Sequence, residues 1–70
     1  MKKVAKIYSK DGIYFGDVFY NAPFKCFSVV QRGCSSCFNS KDIEEIEEFI
    51  SSGKVYGLDE IKYLKSFKRA

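Results

Sequence analysis

Three cysteines are the side chains of this 70-residue chain whose spacing most resembles a reactive site. Cys34-Ser35-Ser36-Cys37 forms a C-x-x-C pair, and Cys26 lies eight residues upstream. A pair spaced this way can cycle between dithiol and disulfide when a helix N-terminus stabilises one thiolate. The same pair can supply two of the four ligands that zinc takes. With no histidine in the chain, Cys26 would be the third ligand. A carboxylate, a water or a second chain would have to be the fourth, and an iron–sulfur cluster fails by the same count. Thioredoxin-like pairs follow the first strand of a parallel βαβ unit and keep a proline close by. Here the segment upstream reads antiparallel, and its one proline is Pro23. The reading that asks least is reduced thiols in a short loop, with Cys26 as a small core hydrophobe and no cofactor. Zinc or redox chemistry at Cys26, Cys34 and Cys37 is the alternative.

The acids carry a second kind of chemistry. Five of the nine fall between Asp42 and Glu48, in a chain whose net charge is +3. Residues 1–38 sum to +4, residues 39–52 to −4 and residues 53–70 to +3. Ile43, Ile46, Phe49 and Ile50 repeat at helical spacing, so Asp42, Glu44, Glu45, Glu47 and Glu48 are expected on the solvent side of a helix. Glu44 and Glu48 are like charges at i, i+4, which costs roughly 0.2–0.5 kcal/mol. The helix dipole favours acids in the first turn but not Glu47 and Glu48. One reading is a solvated face that keeps a small protein dispersed. The other is a rigid anionic ridge that docks on a basic groove of a partner.

Seven of the twelve aromatics lie between Tyr8 and Phe27. Strict alternation along residues 13–20 groups Ile13, Phe15 and Phe19 on one face, and Tyr14, Val18 and Tyr20 on the other. Helices on one side of a sheet cannot cover both faces, so Tyr8, Tyr14 and Tyr20 are candidates for exposed rings near Lys6, Lys10 or Lys25. Tyrosines in such places serve protein interfaces or stack on nucleic-acid bases. Residues 10–20 do not fit the aromatic RNA-recognition strand pattern: aligned on Gly12, Ile13 stands where a ring belongs and Tyr14 where a small residue belongs.

Other chemistries lack their parts. Without histidine, acid–base catalysis near neutrality would need a strongly shifted carboxylate, lysine, tyrosine or cysteine. The chain has no glycine-rich phosphate loop and no nucleophile–base set. Clustered acids on a convex helix differ from catalytic carboxylates in a cleft. The expectation is therefore a protein that is not an enzyme.

The elements that must position these residues divide the chain in half. Lys3–Ser9, Ile13–Tyr20 and Phe24–Val30 read as strands of an antiparallel meander, with a turn at Gly12, a break at Pro23 and a stop at Gly33. A helix is predicted over the Ile43–Ile50 stripe, capped by Asn39 or Ser40 and stopped by Gly53. Leu58, Ile61, Leu64 and Phe67 suggest a second helix, with Asp59 and Glu60 in its first turn and Lys65, Lys68 and Arg69 in its last. The fold class expected is α+β: a three-stranded antiparallel sheet in the N-terminal half covered by two C-terminal helices, a two-layer sandwich in one small domain.

Hydrophobic residues make up 46% of the chain, a folding composition without a run long enough to span a membrane. Charges interrupt any signal-type segment near the N-terminus, so a cytoplasmic location is expected. Together these features suggest a protein-binding module that occludes or inhibits host machinery, the type of small chain phages and mobile elements make, anti-CRISPR and other anti-defence factors among them. Its partner would carry a basic groove. The alternative is a nucleic-acid-binding domain using the aromatic sheet face, or a basic edge of the second helix formed by Lys62, Lys65, Lys68 and Arg69.

Overall fold

Val4, Ala5 and Ile7 of the first strand are buried because they pack against the isoleucines of a helix laid on one face of the sheet. The computed structural model describes residues 1–33, 36–55 and 57–68, with Ser36 and Cys37 described by backbone alone. Among the described residues the strands are β1 (Lys2–Tyr8), β2 (Tyr14–Asn21), β3 (Cys26–Gln31), β4 (Ser36–Ser40) and β5 (Glu60–Tyr63), with one α-helix, α1 (Ile43–Ser51), and a short 3-10 turn at Ala22–Phe24. They form one five-stranded sheet in the order β4-β3-β2-β1-β5. Every pairing is antiparallel. The first four strands are a meander; α1 then crosses one face of the sheet, and β5 closes the far edge beside β1.

The expected three-stranded sheet under two helices is thus replaced, among the described residues, by five strands and one α-helix. The second helix does not form, and its predicted span contains β5 instead. Leu58, Ile61, Leu64 and Phe67 recur every third residue, but Glu60-Ile61-Lys62-Tyr63 also alternates polar and apolar. β1 offers an open edge of backbone donors and acceptors, and pairing with it satisfies them while half-burying Ile61 and Tyr63. An isolated ten-residue helix has no comparable gain. Asn39 and Ser40, expected to cap the helix, belong instead to the extra strand β4, where Phe38 pairs with Val29 in register, and Asp42 takes the cap position.

The core sits between α1 and the sheet: Val4, Ala5, Ile7, Val18, Val29, Ile43, Ile46, Ile50 and Leu58. Burying a side chain of the isoleucine or valine class stabilises by about 1.5–3 kcal/mol. Phe38 and Phe49 stack face to face at 4.4 Å, fastening α1 to β4. Ser40 Oγ accepts the Asp42 amide at 3.1 Å and donates to Glu45 at 2.7 Å, which fixes the helix entrance. Gly53, at φ +75°, follows the helix end as expected.

Two β-bulges in the β1–β2 ladder set its faces. In β1 an extra residue lies between the Lys3 and Ala5 pairs, and both Val4 and Ala5 are buried. In β2 the pairing jumps from Gly16 to Tyr14, leaving Phe15 as the extra residue. Phe15 consequently packs on the core with Val18 and Tyr20, while Tyr14 lies on the opposite face, and the strict alternation expected over residues 13–20 is broken. Gly16 is required where β2 and β3 meet, since a Cβ there would stand 2.7 Å from the Val30 carbonyl oxygen.

Candidate functional site

Strand alternation sends Ala5 and Ile7 toward α1 and Lys6 and Tyr8 to the other face. β5 lies in register beside them, with Lys6 opposite Lys62 and Tyr8 opposite Glu60. The bulge at Phe15 brings Tyr14 opposite Tyr8. Their ring centroids are 5.8 Å apart with planes tilted by 49°. Lys62 Nζ stands 4.8 Å from the Tyr8 ring centroid, and Lys6 Nζ 5.9 Å from that of Tyr14. Two rings and two cations thus share one patch across β5, β1 and β2. With α1 on the opposite side, no described helix covers it.

A polar network holds the patch in place. Tyr14 Oη donates to Asp17 Oδ1 at 2.5 Å, and Lys3 Nζ lies 3.3 Å from the same oxygen. The hydrogen bond to Asp17, then burial, pushes the Tyr14 phenol above its ordinary value. The bond and charge of Asp17 likewise raise Lys3. Lys3 therefore offsets Asp17 at the centre of the face. Lys6 and Lys62 contact rings and make no ion pair among the described residues. Phe19, opposite Lys3 and Ser28, extends the same face toward β3.

The acidic set lies on the other side of the molecule. Asp42, Glu44, Glu45 and Glu48 are exposed on α1, as expected from its apolar stripe. Glu47 is half-buried and accepts the Tyr63 hydroxyl. The ridge and the Tyr8–Tyr14 pair are separated by the sheet, so one flat partner surface cannot touch both. Tyr20 also parts from the other two tyrosines: it packs on the core, 5.0 Å from Phe27.

The remaining candidates are dispersed. Lys62 lies on β5 in the open patch, while Lys65 and Lys68 are exposed beyond that strand, so among the described residues no basic helical edge forms. Arg69 lies outside the described residues. Cys26 begins β3 as a half-buried free thiol, not a core residue. Cys37 stands within β4, several residues before α1, so the helix N-terminus does not adjoin it. Cys34 lies outside the described residues, and so does the side chain of Cys37. Among the described residues no three Cys, Asp or Glu side chains gather as a metal would require, and no helix is long and apolar enough to cross a membrane.

Sequence reasoning missed the pairing of Lys62 with Tyr8. The alternation of Glu60-Ile61-Lys62-Tyr63 was the signal that could have found it. No family model, no curated protein and no solved structure matches this chain.

Proposed function

We propose that this protein is a binding module without catalytic chemistry, and that the open face of its sheet binds single-stranded nucleic acid. The observation that carries this reading is the Tyr8–Tyr14 ring pair flanked by Lys6 and Lys62 on the face opposite α1. Aromatic rings offer stacking platforms to bases of any sequence, and neighbouring ammonium groups offset the backbone phosphates. The anionic strand complements the two cations that carry no ion pair. The face adds no base-edge code, so sequence preference is weak. Fluorescence anisotropy with a labelled oligothymidylate at low salt tests the reading. Binding by the intact protein, and its loss in the Tyr8→Ala/Tyr14→Ala variant, are expected. No anisotropy change with the intact protein would overturn it.

A second reading rests on the exposure of Asp42, Glu44, Glu45 and Glu48 along α1. In it the helix docks on a basic groove of a protein partner and occludes it, as an inhibitor of phage or mobile-element type would. The Glu44→Lys/Glu45→Lys/Glu48→Lys variant keeps the buried isoleucines and reverses the ridge. A host protein retained by the immobilised natural chain, released by salt and absent from the variant, is the expected result. Equal retention by both would remove this reading.

A further inference from the structure

The strongest concentration of positive charge is not on the open face but in a cleft at one end of the α1 side. Lys2, Lys25, Lys41 and Lys68 line it, with Glu44 as the one acid. These five residues sum to +3, which equals the formal charge of the whole chain. They share one concavity of about 560 Å³. The lysines come from four separate stretches of sequence: the start of β1, the turn before β3, the entrance to α1 and the segment after β5. A cleft lined by one sign of charge focuses its field and concentrates counter-ions.

The apolar lining is as selective as the rim. Tyr20, Phe27 and Phe67 contribute rings to the cleft. Phe67 is edge-on to Phe27 at 6.0 Å and stacks on Tyr63 at 5.2 Å, so the aromatic lining is held from both sides. Tyr20 leans on Phe27. A pocket of this size with an aromatic wall and a few charged groups is suited to a small organic ligand. The backbone provides an independent sign. Lys25 has φ 51° and ψ 46°, the one non-glycine residue at positive φ among those described. That conformation favours glycine, yet a lysine occupies it at the cleft rim, and backbone strain of this kind clusters at functional sites.

We infer that this cleft binds a phosphorylated planar ring, a nucleoside phosphate, with the ring against Phe27 and Phe67 and the phosphates among Lys2, Lys25, Lys41 and Lys68. The ligand is either a free nucleotide or the 5′-phosphorylated end of a strand, since both present the same chemistry. The inference uses residues on the opposite side of the sheet from Tyr8 and Tyr14, and it stands or falls separately from the proposed strand-binding face.

Amide chemical-shift mapping on the full chain tests it, with ADP, adenosine, pyrophosphate, and oligothymidylate with and without a 5′-phosphate as probes. ADP is expected to shift the amides of Lys25, Phe27, Lys41 and Phe67, and to bind about tenfold or more tightly than adenosine. Weaker binding of pyrophosphate than of ADP would report the ring contact. Cleft shifts with the 5′-phosphorylated oligonucleotide and not with ADP would assign the strand end as the source; the reverse would assign the free nucleotide. Lys25→Gly guards against misfolding, because it removes the charge while relieving the strained backbone. It should weaken binding about tenfold and leave stability unchanged or higher. The inference is overturned if neither phosphorylated probe shifts the cleft amides, if adenosine binds as well as ADP, or if Lys25→Gly binds as tightly as the natural chain.

Discussion

Removing both cations of the open face should abolish most of the salt dependence of strand binding. Lys3 is held by Asp17, 3.3 Å away, so the face has two lysines available to phosphates, Lys6 and Lys62. For single strands each neutralised phosphate contributes a slope of about −0.7 in log affinity against log salt, so two give about −1.4. Raising salt fourfold should then weaken binding by about sevenfold. In the Lys6→Ala/Lys62→Ala variant the slope should fall close to zero, while stacking on Tyr8 and Tyr14 leaves a weak, salt-insensitive remainder. Both lysines lie outside the core, and far-UV circular dichroism checks that the sheet persists. Anisotropy titrations of intact and doubly substituted protein over a series of salt concentrations give the slopes directly. An unchanged slope in the variant would refute the assignment of phosphate contacts to this face.

Three further outcomes follow from the packing. Ile46 is fully buried between α1 and the sheet, so Ile46→Ala should cost about 2–5 kcal/mol, read as a lower denaturation midpoint in urea; a shift under about 0.5 kcal/mol would contradict the placement of α1. Gly57 has φ +89°, and a Cβ there would meet the Phe15 ring at 2.8 Å, so Gly57→Ala should destabilise by about 1–2 kcal/mol or more, and a neutral result would exclude that approach. Tyr14 and Lys3 both have raised pKa values through Asp17, so their stabilisation is complete below the ordinary values of 10.0 and 10.5 and is lost as pH climbs through the raised ones. The stability difference between the natural chain and Tyr14→Phe should hold below the ordinary tyrosine value of 10.0 and shrink as pH rises through the raised one; a difference that stays constant would rule out the network.

Local pattern and tertiary context divided the work unevenly. β1, β2 and α1 were legible because each carries its own signal: β-branched and aromatic runs for the strands, and Ile43, Ile46 and Ile50 at one helical stripe for α1. Exposure of Asp42, Glu44, Glu45 and Glu48 followed from that stripe, since buried isoleucines leave the acids nowhere else to point. Glu47 departs from the rule because Tyr63, distant in sequence, reaches it across the core. Which tyrosines shared a face was not legible. A single bulge residue reverses the alternation of everything beyond it, and Phe15 does so between Tyr14 and Val18.

By itself, then, the sequence determined an α+β chain with one amphipathic acidic helix after an antiparallel sheet, because short-range periodicity suffices for that. Whether residues 60–63 became helix or strand was decided by the free edge of β1, a partner that exists only once the chain has closed on itself. The same closure decided the charge map. Lys2, Lys25, Lys41 and Lys68 lie far apart along the chain, and their gathering in one cleft depends on four junctions between elements meeting at one end of the fold. Electrostatic fields sum over distance in space, so segment charges read along the chain could not reveal where the excess would collect.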